Sequence, residues 1–284
     1  MPQAYRVPAK GVIEYIYVIL PTHFAEDRWV TAAEIRPGNR GVMHHAALHV
    51  RPAGSKWLRE YLPGVPFVPA PGRSAAQLSL SDEWLTNYAP GRPAYMLPPG
   101  AAFLGKAGSD FVLQFHYSTN GTEASDRSKI GLIFAEAPPA KRAFIAAVMN
   151  RNFVIPPRDP NYRANTSKTL AVDASVLSAG PHMHVRGKSM NIAAGYPSGE
   201  SETLVRVPRY HFNWQLLYEF SPPETASRGT RFEGGAIWDN SSNNPYNPDP
   251  KAEVRWGDQS WEEMLLAWIT LQIDPNTDVN KLFQ

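Results

Sequence analysis

Asp110-Phe111-Val112-Leu113-Gln114-Phe115-His116-Tyr117 is the stretch whose reading decides the fold. Aromatic and aliphatic residues dominate it, no Gly or Pro interrupts it, and its length is that of a strand rather than a helix. Comparable short runs recur at Val12–Leu20, Trp29–Ile35, Val42–Val50, Lys129–Phe134, Ala143–Met149, Thr169–Val176, Ser189–Ala194, Leu204–Val207, Trp214–Phe220, Thr230–Trp238 and Leu265–Ile273. Turn residues separate them. Proline is abundant, 27 of 284 residues, and at that density it breaks helices and marks loops, turns and strand edges. Many short strands bounded by Gly, Pro and Asn predict an all-β protein of β-sandwiches. Asn120-Gly121, between the 110–117 and 129–134 runs, predicts a hairpin with a long loop. One helix start is expected at Ser81-Asp82-Glu83-Trp84-Leu85. The Pro- and Gly-rich stretch from Leu62 to Pro99 otherwise reads as a long ordered loop.

A chain of 284 residues makes one large or two medium domains. The Glu136-Ala137-Pro138-Pro139-Ala140 segment is the expected boundary, giving domains 1–139 and 140–284; no internal sequence repeat stands out. A net charge of +2 with 19% charged residues offers no case for nucleic acid or an anionic membrane surface. The absence of cysteine excludes disulfides, zinc–thiolate sites, iron–sulfur clusters and blue-copper centres. The most apolar run, Met264 to Ile273, is too short to span a bilayer. Met1-Pro2-Gln3-Ala4 lacks the basic start and apolar core of a signal peptide, so for an exported protein this chain would be a mature or a trimmed form.

The histidines fall into two groups. His44 and His45 are adjacent and can be joined by His116 from another strand; His182 and His184 lie two apart and can be joined by Met264. Imidazole suits several transition metals, whereas a thioether favours Cu(I). On a strand, His182 and His184 would face the same side, about 6–7 Å apart, although a pair of surface histidines after Gly180-Pro181 would look the same. His44 and His45 would point to opposite faces of a regular strand. Sharing one ion requires either a backbone kink or ligation through Nδ1 of one ring and Nε2 of the other. Met264 alone would read as core packing. No carboxylate stands where a cupin or a non-haem iron facial triad needs one, and no H-E-x-x-H zinc motif, G-x-S-x-G elbow or phosphate-binding glycine loop is present.

Several segments, in order, resemble the copper type II, ascorbate-dependent monooxygenases, the family of dopamine β-monooxygenase and peptidylglycine α-hydroxylating monooxygenase. They are Gly41-Val42-Met43-His44-His45, Leu113-Gln114-Phe115-His116-Tyr117 and Pro181-His182-Met183-His184-Val185-Arg186-Gly187-Lys188. Tyr210-His211-Phe212-Asn213-Trp214-Gln215, Asp239-Asn240-Ser241-Ser242-Asn243-Asn244-Pro245 and Gly257-Asp258-Gln259-Ser260-Trp261-Glu262-Glu263-Met264 look like bacterial relatives. The resemblance implies two tandem jelly-roll antiparallel β-sandwich domains, with one copper ion in each and a solvent-filled cleft between them. His44, His45 and His116 would hold an electron-transfer copper, with Gln114, two residues before His116, between substrate and that metal; His182, His184 and Met264 would hold the catalytic copper. It further implies hydroxylation of an activated C–H bond of a small-molecule substrate, using O2 and a one-electron donor such as ascorbate, in a periplasmic or secreted setting. A non-catalytic copper-binding or electron-transfer module with the same fold is the alternative.

The chain departs from the peptide-amidating relatives. Gly180 stands where they carry an Arg, and Leu266 and Trp268 stand where they carry Asn and Tyr. Arg–carboxylate pairing is strong and directional, so its absence argues against a peptide C-terminus as substrate and points to an apolar or aromatic one. His23, His49 and His211 receive no role. Asn120, Asn165 and Asn240 head glycosylation triplets of the kind that arise by chance.

Overall fold

The computed structural model describes residues 1–70 and 83–284. Its elements are almost all strands, as the turn-bounded runs lead one to expect. The chain forms two compact units, Met1–Phe144 and Ile145–Gln284. The division falls inside a strand, a few residues beyond the Pro138-Pro139 turn.

The first unit holds β1 (Tyr5–Val7), β2 (Ile16–Pro21), β3 (Arg28–Arg36), β4 (Met43–Arg51), β5 (Glu83–Tyr88), β6 (Tyr95–Met96), β7 (Ala101–Gly105), β8 (Asp110–Tyr117), β9 (Ala124–Asp126), β10 (Lys129–Phe134) and the start of β11 (Lys141–Asn150). One sheet runs β2-β8-β4-β5 and a second runs β10-β3-β7. β3 packs against β4 and β5 of the first sheet, so the two sheets form a sandwich. Between them lie Val18, Leu48, Leu113 and Phe115, all essentially without solvent contact. Buried ion pairs, Arg51 with Asp110 and Arg142 with Glu83, satisfy charges that the core could not hold singly.

The second unit contains the end of β11, then β12 (Val154–Ile155), β13 (Tyr162–Thr169), β14 (Ala174–His182), β15 (Gly187–Gly195), β16 (Ser201–Val207), β17 (Tyr218–Ala226), β18 (Arg231–Trp238), β19 (Val254–Arg255) and β20 (Leu265–Ile273). Its sheets are β11-β20-β14-β17 and β13-β18-β15-β16, packed face to face. Eight strands that alternate between two antiparallel sheets in this order make a jelly roll. The order β13-β18-β15-β16 matches β2-β8-β4-β5, and β20-β14-β17 matches β10-β3-β7. The two units therefore repeat one topology although their sequences show no repeat.

Three local expectations change. β8 and β10 do not pair with each other: β8 lies between β2 and β4, while β10 pairs with β3. The Asn120-Gly121 turn thus carries the chain from one sheet to the other, as a sandwich demands. Glu83-Trp84-Leu85 are strand rather than helix, because β5 completes the sheet against β4; Ser81 and Asp82 lie outside the described residues. Within the expected loop, β5 and β6 are strands, and 62–70 folds over β2 through hydrogen bonds exchanged between Phe67 and Tyr17.

Candidate metal centre

In β4 and β8, His45 pairs with His116, Ala47 with Gln114 and His49 with Val112, so these side chains share one face of the sheet. Between Met43 and His45 the register slips by one residue. This bulge at His44 resolves the geometric problem posed by adjacent histidines, because an extra residue re-aims a side chain that would otherwise point away. His44 Nδ1 lies 2.9 Å from His45 Nδ1, and His116 Nδ1 lies 3.4 Å from His45 Nδ1. An ion about 2.0 Å from each nitrogen would hold them about 2.8–3.5 Å apart. The trio can hold a metal, with ligand nitrogens of all three rings within 4.8 Å of one another and Nδ1 of both His44 and His116 at ligand spacing from Nδ1 of His45.

The surroundings favour ligation. The Tyr15 hydroxyl lies 3.2 Å from His45 Nε2, and its ring packs 4.8 Å from that of His116. A partner on the far nitrogen fixes tautomer and ring orientation. Burial, with a contribution from His44, lowers the pKa of His116 to about 3, which keeps the ring in the neutral form that binds metal. Gln114 donates its amide N–H to the Tyr17 hydroxyl.

The second group is built differently. His182 closes β14, but His184 lies beyond it in the turn, so the pair does not share a regular strand. The chain bends and brings the ring centroids to 5.3 Å at right angles. Tyr210 holds the bend: its hydroxyl accepts from Met183 N at 3.0 Å and donates to Met183 O at 2.6 Å. Gln215 fixes the His182 tautomer. Its Nε2 donates to Phe212 O, so its Oε1 faces His182 Nδ1 at 2.5 Å and can only accept. The proton then sits on Nδ1, and Nε2 carries the lone pair. His184 Nδ1 lies 3.2 Å from Glu262 O, an acceptor that selects the same tautomer. Burial lowers the pKa of His182 to about 4, against the pull of Gln215.

Met264 immediately precedes β20, where Leu266 pairs with His182. Its side chain is buried with Ala147 and Leu266, and Met149, Trp256 and Trp268 pack against that cluster. Glu263 ties this segment to His184. Its buried carboxylate accepts from His184 N at 2.8 Å, Arg186 N at 2.7 Å and Trp238 Nε1 at 2.9 Å. Burial pushes its carboxyl up to about 7, opposed by those donors and by Arg186. Arg186 is buried in turn, donating to Asn240 Oδ1 and Trp261 O. Asn240 also donates to Pro156 O and Ala252 O, and its burial makes it a structural residue rather than a glycosylation site.

The structure therefore gathers His44, His45 and His116 on one sheet face. It brings the His182 and His184 rings together, with His184 alone bonded to the two residues that precede Met264. Sequence reasoning gave no role to Tyr15, Tyr17, Tyr210, Gln215 or Glu263 as supports. Tyr210 and Gln215 did lie in a segment singled out by resemblance; Tyr15 and Tyr17 carried no signal beyond their place in an apolar run.

No family model and no curated protein matches the chain. Solved structures similar to it include the infectious bursal disease virus VP2 subviral particle. That match has 9% identity, covers 98% of this chain and 72% of that one, and has a TM-score of 0.27. The T13 particle of the same virus aligns at 8% identity over 99% of this chain and 70% of that one, also at a TM-score of 0.27. Likeness at this level carries no functional argument.

Proposed function

We propose that the chain is a copper-dependent monooxygenase that hydroxylates an activated C–H bond with O2 and a one-electron donor such as ascorbate. The observation that carries this reading is the three-histidine cluster, in which His44 Nδ1 and His116 Nδ1 both lie at metal-ligand spacing from His45 Nδ1; a second, tautomer-locked histidine pair includes His182, opposite Leu266, which is buried with Met264. In this reading His44, His45 and His116 hold one ion. His182 and His184, through Nε2, and Met264, through its thioether, hold the other, and the soft sulfur favours Cu(I) there. Copper, when bound, supplies the one-electron redox chemistry and O2 reactivity that side chains lack.

The protein's own contribution is orientation and environment. Tyr15, Gln215 and the Glu262 carbonyl fix ring positions and protons. The apolar cluster around Met264 keeps water from the reacting carbon, and Gln114, held by Tyr17, presents an amide near His116. A periplasmic or secreted setting belongs to the same proposal.

Metal analysis of copper-treated protein should give about two ions per chain from the ligand count. Oxygen uptake should depend on ascorbate and be coupled to substrate hydroxylation. Met264→Ile should abolish turnover while leaving the three-histidine ion in place. Copper binding without turnover would leave a binding or electron-transfer module instead, and full activity in Met264→Ile would remove the methionine from the site.

A further inference from the structure

Resting on that reading, the surface beside Met264 specifies the kind of molecule it accepts. Leu266 and Trp268 alternate along β20 and so share a face, and Met264, just before the strand, packs in the same cluster. His182 is opposite Leu266 in register, and Gly180 is opposite Trp268. Gly180 leaves no room for a side chain: a Cβ there would lie 2.6 Å from Leu217 Cδ2 and 2.7 Å from Leu216 O. Leucine thus occupies the place where an Arg would have to stand, and this part of the face is apolar for steric reasons.

Two polar groups border the platform. Trp256 packs against the cluster, and its Nε1 is buried without a hydrogen-bond partner. A buried donor left unsatisfied in a native fold calls for an explanation, and a bound acceptor supplies one. On the outer side, the exposed Arg151 guanidinium lies over the Trp256 ring at 5.4 Å, with Nε 3.2 Å from Met149 Sδ. Arg151 makes no ion pair among the described residues, and the charge of Lys168 is close enough to feel it. An acceptor, not a donor, is missing here, and the nearby charge is positive.

We propose that this site takes a small aromatic or apolar molecule with an oxygen acceptor at one end, and rejects cationic amines. Its body lies on Met149, Leu266 and Trp268. Its oxygen accepts from Trp256 Nε1 and faces Arg151, and the carbon presented to Met264 carries no charge.

The test uses three probes with one body and different heads: 3-phenylpropanoate, 3-phenylpropanol and 3-phenylpropylamine. Each is titrated calorimetrically into the full chain, metal-free and copper-loaded, with copper content measured on the same samples. Both oxygen-headed probes should bind at least about tenfold more tightly than the amine, about the weight of one hydrogen bond. Trp256→Phe should remove most of that advantage without changing copper content, and Arg151→Gln should weaken the carboxylate alone. Equal binding of the amine, no effect of Trp256→Phe (a donor satisfied by solvent), or no binding of any probe would overturn the proposal. Oxygen-headed selectivity in a chain that takes up no copper would instead uphold the pocket and sink the monooxygenase reading.

Discussion

His44 and His45 are neighbours in the chain, yet their Nδ1 atoms lie 2.9 Å apart. A regular strand would set these rings on opposite faces. The bulge between Met43 and His45, set against the single step from Tyr117 to His116, puts them on one side. The backbone irregularity and the ligand set are thus one feature. His44→Ala or His116→Ala should each reduce bound copper from about two ions to about one, with the fold intact by circular dichroism. Retention of both ions would show that the trio is not a ligand set.

The Tyr15 hydroxyl touches the far nitrogen of His45. Tyr15→Phe keeps the ring packing on His116 but deletes the hydrogen bond. Partners of this kind are worth about 10–100-fold in metal affinity, and competition with a chelator should register a loss of that size at the three-histidine site. An unchanged affinity would make the contact incidental.

Glu263 anchors the loop after β14 to the start of β20 through three buried donors. Glu263→Ala orphans them, and each buried orphan costs about 1–3 kcal/mol. Urea unfolding should therefore show a loss of at least about 3 kcal/mol, with Glu263→Gln intermediate because one amide oxygen remains to accept. A loss below about 1 kcal/mol would deny the carboxylate its anchoring role.

His49 is buried between Trp57 and Trp84, with no partner on Nδ1. Burial lowers its pKa from 6.5 to about 3. The folded state then holds fewer protons than the unfolded chain across that interval. The stability His49 contributes is present above pH 6.5 and is lost as pH falls towards 3, at up to about 1.4 kcal/mol per pH unit. In His49→Phe, stability measured from pH 7 down to 4 should fall less steeply than in the parent. Parallel curves would mean that the ring is not buried in its neutral form.

Strand character was legible wherever a run was long and apolar: 110–117, 129–134 and 265–273 coincide with β8, β10 and β20. β13 was not, because Tyr162–Thr169 carries Arg, Asn, Ser and Lys on a half-exposed strand and shows little apolar pattern. β5 was misread because its acidic start resembles a helix cap; pairing with β4 overrode local propensity.

The sequence by itself determined the class of fold and the residues with metal-binding chemistry, since apolar period and side-chain type are local properties. Only the tertiary structure decided the strand order repeated in both units, the bulge at His44, the turn that bends His182 towards His184, and the buried carboxylate and tyrosines that hold these side chains. The reason is physical. These features depend on which distant backbone groups must find hydrogen-bond partners once the sheets close, and no single stretch of chain carries that information.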